Sequence, residues 1–414
     1  MSLQNFFKFL KKTSVEERER KPSALSEGLC RQFSLAELKA ATNNFHDGLR
    51  ISGGRFGPVY KGLIDGGSLV VAVKRLSRSF LQGSERFRNE VELLCQLRHQ
   101  NLVSLLGFCH EKDEGILVYE SMTRGSLDRH LFGNADPLPW KRRLEICIGA
   151  ARGLHYLHTG AKYAIIHRHV KPDNILLGEN WDAKLSDFEL SVIGPSSMSK
   201  PKPNALTKET LAAGTLGYLA PECFDHKLSE KADVYSLGIV LLEVLCGRRV
   251  VDHNAEPEDF HLVSRIIKCI KNGCVHEMID PFLKGKIAPV CLIEYVEIAL
   301  NCVCLNPNER PSVGEVEVTL ELALELQEKT DLVIKADNPH AVYAYEDLSF
   351  RVSVEENSYW QGYRYSGDSD TGSVSTAELV SDAESVSHGG AVSIAESKFK
   401  IKWCYQILNT LPCC

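Results

Sequence analysis

The sequence lacks a long apolar segment, paired cysteine spacings and an excess of basic charge. Its longest apolar run, residues 237–246, is interrupted by Glu243 and is too short to span a bilayer. The 14 cysteines show no Cys-x-x-Cys pair, so they predict reduced intracellular thiols and no disulfide framework. The net charge of -6 does not indicate nucleic-acid binding. A membrane bundle, a disulfide-rich secreted domain and a nucleic-acid partner are therefore not expected.

The composition of the 414 residues changes along the chain and predicts three regions. Residues 1–32 are rich in Lys, Arg and Ser and predict a flexible segment. Residues 33–330 predict one large globular domain. Residues 331–414 predict a largely disordered tail, because serine and acidic residues dominate from 353 to 387. That tail ends in a basic stretch and a Cys-Cys pair.

Hydrophobic spacing predicts a small β-rich part followed by a larger helical part. Ser34 and Glu37 form a capping-box pattern ahead of a helix. Residues 51–75 read as strands, and residues 86–97 have helical spacing. Five further helices are predicted at 141–158, 229–246, 257–271, 290–303 and 312–326. This order favours an asymmetric two-lobed α+β domain with a cleft between the lobes.

A glycine-rich turn and a strand lysine in the β-rich part suggest phosphate binding. Ser52-Gly-Gly54-Arg-Phe-Gly57-Pro-Val59 lies between two strand-like stretches, where glycine lets backbone N–H groups approach phosphate oxygens. Val71-Ala72-Val73-Lys74 follows, and Glu90 on the next predicted helix could pair with Lys74. Each feature taken singly has an ordinary explanation that fits equally well. The glycines could form a common hairpin, Lys74 could face solvent, and Glu90 could lie on a solvated helix face.

Three later motifs make the phosphate interpretation specific. They are His167-Arg168-His169-Val-Lys171-Pro-Asp-Asn174, then Asp187-Phe188-Glu189, then Ala220-Pro221-Glu222. With the glycine-rich turn and the strand lysine, they give five motifs in the order of a eukaryotic protein kinase, which the chain resembles over about 290 residues. Phe33-Ser-Leu-Ala-Glu-Leu and Gly214-Thr-Leu-Gly-Tyr resemble the plant receptor-like kinase group related to Pelle-type kinases.

The resemblance implies the bilobal protein kinase fold, with a small β-rich N-lobe and a larger helical C-lobe. It also implies ATP and Mg²⁺ or Mn²⁺ as cofactors, and Lys171 implies the Ser/Thr type. Lys74 would contact the phosphates and Glu90 would orient it, while Asn174 and Asp187 would hold metal. The remaining nucleotide-binding positions implied are Gly54, Gly57, Val59, Ala72, Glu120 and Met122, with Tyr119 as the gatekeeper.

Three positions depart from the family pattern. The first glycine of the loop is Ser52, the glycine after Asp-Phe is Glu189, and the catalytic aspartate is His169. That aspartate normally accepts the substrate hydroxyl proton, and loss of a general base costs about 10²–10⁴-fold in rate. Arg168, His169 and Lys171 are the residues at the catalytic positions of the loop. The chain is therefore interpreted as a degenerate, catalytically impaired kinase domain, a pseudokinase, that still binds ATP.

The segment before Ala220 offers a regulatory site. Thr210 stands where related kinases carry an activating phosphothreonine, and Arg168 could pair with that phosphate. Thr215 matches the threonine near the substrate hydroxyl. The alternative is a flexible Ser/Thr-rich loop without phosphorylation.

The resemblance implies a cytoplasmic signalling protein whose partners are receptor kinases or immune signalling proteins. The aromatic and basic N-terminus and the basic C-terminus with Cys413 and Cys414 leave two interpretations open. One is peripheral association with the inner face of the plasma membrane. The other, which is favoured, is an unmodified tail. Two other functions stay open. One is an active Ser/Thr kinase in which another residue, such as Asp173, replaces the base; the other is a membrane-tethered adaptor.

Overall fold

The computed structural model describes residues 30–351 except 55–56, 78–84, 112–113, 134–135, 194–213, 225–226, 253–259, 339–340 and 346–347, and also residues 373–374. The described residues form two compact units. The first holds the described residues up to Leu97 together with Ser104–Glu120. The second holds Arg98–Val103 and the described residues from Ser121 onward.

The first unit is a six-stranded sheet with two α-helices among its described residues. Its elements in chain order are β1 (Arg31–Gln32), α1 (Leu35–Ala41), β2 (Arg50–Gly54), β3 (Gly57–Ile64), β4 (Leu69–Arg75), α2 (Glu85–Leu94), β5 (Leu105–Glu111) and β6 (Glu114–Glu120). The strand order is β1-β5-β6-β4-β3-β2. All neighbouring strands are antiparallel except β1 and β5, which are parallel.

One face of this sheet forms the core of the first unit. Val71 and Val73 of β4 are fully buried in a cluster with Phe33, Leu38 and Val118. Because side chains alternate along a strand, the residues between them project from the opposite face. The β-branched pattern therefore directs a hydrophobic face inward and leaves the other face for polar side chains.

The predicted capping box begins α1. Ser34 Oγ accepts a hydrogen bond from the Glu37 N–H at 3.2 Å, and the Glu37 carboxylate accepts one from the Ser34 N–H at 2.8 Å. This satisfies two backbone donors that a helix start otherwise leaves open.

One pair of cysteines departs from the thiol prediction. Cys30, before β1, is joined to Cys95, after α2, with 5.6 Å between their Cα atoms. The prediction of reduced thiols is therefore wrong for this pair, which no sequence spacing reveals because 65 residues separate the two cysteines. The other cysteines that the structure describes are free thiols, most of them buried.

The second unit is mainly helical. Its elements are β7 (Gly125–Ser126), α3 (Leu127–Phe132), α4 (Trp140–His155), β8 (Ile165–Ile166), β9 (Ile175–Leu177), β10 (Ala183–Leu185), β11 (Val192–Ile193), β12 (Gly214–Thr215), α5 (Lys231–Cys246), α6 (Leu262–Lys271), α7 (Pro289–Cys302), α8 (Val313–Asp337) and β13 (Ser373–Val374). The short strands pair as β10-β9-β7, β11-β8 and β12-β13. Helix α5 is buried on all sides, as expected for an almost wholly apolar helix. Helix α7 packs on α5 and α8, and α8 also packs on α4.

The five helices predicted in this part are present, with ends shifted by a few residues except at α8. That helix continues to Asp337, eleven residues past the predicted end. Beyond it the Tyr343 N–H donates to the Gly285 carbonyl at 2.9 Å, and the Tyr343 hydroxyl donates to Asp331. The domain limits at 32 and 330 stay predictions. Each helix that the structure describes is too short or too polar to cross a bilayer.

Candidate active site

Lys74 lies on the polar face of the sheet in the first unit. It belongs to β4, where it pairs with Val59 of β3, and Ala72 on the same strand pairs with Tyr119 of β6. Since Val71 and Val73 point into the core, alternation places Ala72 and Lys74 on the other face. The strand pattern thus places the predicted phosphate-binding lysine beside Val59 and Ala72, two other predicted nucleotide-binding residues.

The lysine is held by a buried carboxylate. Lys74 Nζ lies 3.4 Å from Glu90 Oε2, and Glu90 is only 2% exposed on α2. The Tyr119 hydroxyl donates to the other oxygen, Glu90 Oε1, at 2.6 Å. A carboxylate this deeply buried needs such partners, because removing a charge from water is costly. Sequence reasoning named Tyr119 only as a gatekeeper and missed this hydrogen bond.

The glycine-rich turn joins β2 to β3 as a hairpin. Gly54 pairs with Gly57, and Ser52 pairs with Val59. Gly57 has φ of 128°, and a Cβ atom there would collide with the Arg75 carbonyl oxygen, so glycine is required. Ser52 is an exposed residue of β2, where an ordinary side chain fits. The loss of the first glycine is therefore tolerated by the hairpin.

Glu120 and Met122, the predicted hinge residues, are fixed by backbone contacts within their own units. The Glu120 carboxylate accepts from the Ser104 N–H at 2.7 Å, and the Glu120 N–H donates to the Ser104 carbonyl. The Met122 carbonyl accepts from the Gly125 N–H at 3.1 Å.

The catalytic loop in the second unit is held in place by hydrogen bonds to Asp233 of α5. The carboxylate of Asp233 accepts from the backbone N–H groups of His167 and Arg168, each at 2.7 Å, and from the His158 ring at 2.8 Å. Burial acts to raise the pKa of Asp233, but the hydrogen bond and charge of His158, the charge of His167 and the Arg168 N–H together lower this pKa overall. The fixed carboxylate allows Arg168 to keep its left-handed backbone, with φ of 68°.

His167 is a neutral packing residue of this loop. Complete burial lowers the pKa of its ring to about 4. Nε2 then donates to the Ser186 carbonyl at 3.1 Å, and Nδ1 accepts from the His169 N–H at 3.2 Å. The ring also meets Phe188 edge-on, with 4.9 Å between centroids. The two residues therefore pack together in the core of the second unit.

His169 occupies the position of the catalytic aspartate, and each of its ring nitrogens faces a polar side chain. Nε2 lies 3.0 Å from Thr215 Oγ1, and Nδ1 lies 2.7 Å from Asp187 Oδ2. The side chain is almost fully buried. Thr215 is therefore close to the catalytic position, as predicted, but its hydroxyl contacts the imidazole.

The predicted metal ligands lie next to this histidine. Asn174 Nδ2 donates to the His169 carbonyl at 2.8 Å and lies 3.4 Å from Asp187 Oδ2. The amide nitrogen is thereby turned toward the protein, so that the amide oxygen is the atom suited to a cation. Lys171 is buried just before the turn Pro172–Asn174. Asp187 has φ of 68°, an unusual backbone for a non-glycine residue.

Glu189, which replaces the family glycine, is buried, and its side chain lies close to the predicted metal ligand Asp187. It is 6% exposed, and its carboxylate has an oxygen near His169 and Asp187. The sequence predicted an extra carboxylate beside the metal aspartate, and the structure brings the two together. Thr210, the predicted phosphorylation site, lies outside the described residues.

The loop beyond the active site is tied to the helical core by a buried ion pair. Arg310 donates to both oxygens of Glu222, at 2.6 and 2.8 Å. Such two-point contacts between guanidinium and carboxylate hold geometry strongly. The pair therefore fixes the position of this loop against the helices of the second unit.

Comparison with known proteins identifies the chain. A family model described as protein tyrosine and serine/threonine kinase matches residues 46–320. The chain belongs to this kinase family. The predicted α+β kinase fold, with a β-rich N-lobe and a helical C-lobe, is thereby confirmed.

Its relatives include receptor-like protein kinases of Arabidopsis thaliana. FERONIA is 49% identical over 311 residues, which cover 75% of this chain and 34% of that protein. ANXUR2 is 50% identical over 311 residues, covering 75% and 35%, and THESEUS 1 is 45% identical over 318 residues, covering 76% and 36%. The chain thus spans about a third of the length of the curated relatives it matches.

Kinase domains generally use ATP with Mg²⁺ or Mn²⁺. The residues present fit these groups, because Lys74 is a cation held by Glu90, and Asn174 and Asp187 supply adjacent oxygen donors. The departures are confined to His169, Glu189 and Ser52.

Proposed function

We propose that this chain is an ATP-binding signalling protein of the kinase family with impaired phosphotransfer. The observation that carries the proposal is the placement of the His169 ring, whose Nε2 lies 3.0 Å from Thr215 Oγ1 and whose Nδ1 faces Asp187 Oδ2. A general base must reach the substrate hydroxyl with an unoccupied acceptor atom. In this arrangement Nε2 is in contact with the Thr215 hydroxyl and Nδ1 faces the Asp187 carboxylate, and an imidazole also lacks the negative charge of aspartate.

The retained residues support nucleotide binding. Lys74 would hold the phosphates, with its position fixed by Glu90, and Asn174 and Asp187 would hold the metal ions. ATP with its metal supplies the transferable phosphoryl group when bound. Gly54 and Gly57 keep the backbone approach to phosphate open on the hairpin.

An active Ser/Thr kinase is the second candidate, and one distance favours it. His169 Nε2 reaches a hydroxyl oxygen, that of Thr215, at 3.0 Å. An imidazole in this position could accept a proton from a substrate hydroxyl that displaced Thr215. Asp173, which lies in the turn Pro172–Asn174 and is half-buried, is the remaining carboxylate candidate.

Phosphotransfer assays on the restored family residues separate the two candidates. We expect little transfer to a generic Ser/Thr substrate by the wild-type chain, and at least tenfold more by the double variant His169→Asp, Glu189→Gly. Lys74→Ala in the same restored background should abolish the gain. Robust wild-type turnover that Lys74→Ala abolishes would establish the active kinase instead.

Nucleotide binding is tested separately from turnover. Millimolar ATP with Mg²⁺ or Mn²⁺ should raise the melting temperature of the wild-type chain, since a ligand that binds the folded state stabilises it. Lys74→Ala should remove the shift. An unchanged melting temperature with either metal contradicts the nucleotide site.

The partners and location also belong to this proposal. The similarity to receptor-like kinases supports a role as partner or phosphorylation substrate of receptor kinases or immune signalling proteins, on the cytoplasmic face of the plasma membrane. A membrane-tethered adaptor is the alternative in which the kinase domain is dispensable. Deleting residues 353–414 should leave partner binding intact in the first case and abolish it in the second.

A further inference from the structure

One imidazole and two carboxylates converge in the catalytic loop region. His169, Asp187 and Glu189 each offer one ligand atom, and these atoms all lie within 4.8 Å of one another. No second cluster of three or more His, Cys, Asp or Glu residues suited to a metal is found in the part of the chain that the structure describes. Two residues of this cluster, His169 and Glu189, are among the three positions that depart from the kinase pattern.

The position of the His169 ring makes Nδ1 a metal-ligand candidate. Thr215 Oγ1 lies 3.0 Å from Nε2 and can accept its proton. Nδ1 then presents a lone pair to Asp187 Oδ2 at 2.7 Å. A bare nitrogen and a carboxylate oxygen repel each other at this distance, so a positive charge must lie between them.

That charge is either a proton or a cation, and the geometry favours the cation. Although the two atoms are close, Nδ1 makes no hydrogen bond of acceptable angle with any residue that the structure describes. A proton fixed on Nδ1 would therefore point away from the carboxylate oxygen. A metal ion beside the line joining the two atoms satisfies both lone pairs.

Burial strengthens the argument. His169 is 3% exposed and Glu189 is 6% exposed, so the cluster is shielded from water. A divalent cation bound to the two carboxylates and the imidazole would offset the cost of burying these polar groups. The hydroxyl of Thr215 behind Nε2 is the outer contact that commonly fixes the ring of a metal-bound histidine.

We propose that His169, Asp187 and Glu189 form a site for a divalent first-row transition metal ion that binds without nucleotide. One imidazole and two carboxylates suit Mn²⁺, Fe²⁺, Co²⁺ or Zn²⁺, whereas Mg²⁺ prefers oxygen ligands alone. Ligand atoms of one ion bound at about 2.1 Å are separated by about 3 to 4 Å, so small side-chain movements close the site. This goes beyond the proposed nucleotide function, because Lys74 and ATP take no part.

Mn²⁺ is the probe for this site. The chain has many thiols, which prefer softer ions, and Mn²⁺ avoids them while still taking carboxylate and imidazole ligands. The full chain without nucleotide should bind one Mn²⁺, measured as loss of the electron paramagnetic resonance signal of aqueous Mn²⁺. An equal concentration of Mg²⁺ should not displace it. Pulsed measurements should show coupling to an imidazole nitrogen.

Variants at the unusual positions supply the controls. Glu189→Gly should weaken Mn²⁺ binding at least tenfold. His169→Asp should abolish the nitrogen coupling while an oxygen ligand remains, and Mg²⁺ should then compete. Both variants restore the family residue, which limits the risk of misfolding, and their melting temperatures are measured alongside. His155→Ala removes a histidine that is paired with Glu317 away from the cluster, and should change nothing.

Three results would overturn the proposal. They are no Mn²⁺ binding at millimolar concentration without nucleotide, equal affinity in wild type and Glu189→Gly, and nitrogen coupling that survives His169→Asp. Mn²⁺ binding that occurs only when ATP is present would also overturn it, because the ion would then be one of the nucleotide-associated metals of the family. The thermal shift with ATP and its loss in Lys74→Ala report on the proposed function independently, so the failure of one is distinguishable from the failure of the other.

Discussion

At the scale of single residues, the hydroxyl of Tyr119 decides how the buried Glu90 is held. The hydrogen bond to Glu90 Oε1 is 2.6 Å, shorter than the 3.4 Å contact between Glu90 Oε2 and Lys74. A short O–H···O⁻ bond to a buried carboxylate is among the stronger hydrogen bonds in proteins. Tyr119 therefore positions Glu90, and through it Lys74.

We expect Tyr119→Phe to lower the free energy of unfolding by about 1–3 kcal/mol, the cost of leaving a buried charged group with one partner fewer. The affinity for ATP should fall several-fold, because Glu90 no longer holds Lys74 in a single place. Urea unfolding and thermal shift with ATP measure the two effects. Tyr163→Phe, at a half-buried tyrosine of the second unit, is the matched control. Equal stability and affinity in Tyr119→Phe and wild type would contradict this role.

Glu243 is a second residue whose environment has a measurable consequence. It is fully buried in α5, where the Tyr218 hydroxyl and the Val250 N–H donate to its carboxyl group. Burial raises the pKa of Glu243 to about 8. The folded state therefore binds the carboxyl proton more tightly than the unfolded chain does.

The sign of the pH dependence follows from linkage. A raised pKa contributes stability that is complete below the ordinary glutamate pKa of about 4.5 and is lost as the pH rises through about 8. We expect Glu243→Gln to flatten the decline in unfolding free energy between these pH values. Urea unfolding across this range measures it, and Glu277→Gln at an exposed site controls for the lost charge. Parallel curves for wild type and Glu243→Gln would refute the assignment.

At the scale of elements, the hairpin of β2 and β3 depends on one glycine. Gly57 has a positive φ and a backbone neighbour, the Arg75 carbonyl, where a Cβ atom would sit. Gly66, in the next turn, also has positive φ, at 70°, but open space around it. Substituting the two glycines in turn therefore distinguishes the cost of backbone strain alone from the cost of strain together with a steric collision.

We expect Gly66→Ala to cost about 1 kcal/mol, the strain of a left-handed alanine. Gly57→Ala should cost about 2 kcal/mol more, because β3 and β4 must move apart. It should also weaken ATP binding, since the hairpin carries the phosphate-facing backbone. Chemical unfolding of the two variants measures the difference, and equal costs would show that the collision relaxes freely.

At the scale of the whole molecule, the segment before β12 is the proposed regulatory site. Thr210 is the expected phosphate acceptor, and Arg168 the expected partner. Arg168 is buried, and its guanidinium donates to the Leu190 carbonyl at 3.2 Å. A phosphate would therefore have to compete for a guanidinium that already has a backbone acceptor. A phosphate carries about -1.5 to -2 charges at pH 7, enough to draw an arginine into a charge-assisted pair.

We expect co-expression with an active receptor-like kinase domain to place phosphate on Thr210, seen by mass spectrometry. That kinase domain should bind the phosphorylated chain with altered affinity, and Thr210→Ala and Arg168→Ala should each remove the change. Lys208→Ala controls for nearby charge. Equal binding by all variants, with no phosphate between residues 196 and 215, would reject the switch.

Much of the site was predictable because kinase motifs are local in sequence. Lys74 ends a β-branched strand and Glu90 lies on an amphipathic helix, so periodicity alone placed both on recognisable elements. The capping box at Ser34 was predicted by the same local reasoning. The disulfide of Cys30 with Cys95 was not, because it depends on how distant segments pack.

The sequence by itself determined the kinase family, the β-rich and helical parts, and the residues that replace the catalytic aspartate and the loop glycine. Those features are encoded in residue types and in spacings of two to four residues. Only the tertiary structure decided what the replacements touch: His169 with Thr215, 46 residues away, and Tyr119 with Glu90, 29 residues away. The reason is physical. Side chains separated by tens of residues meet only when packing of the core fixes strands, loops and helices together, and local periodicity does not encode that packing.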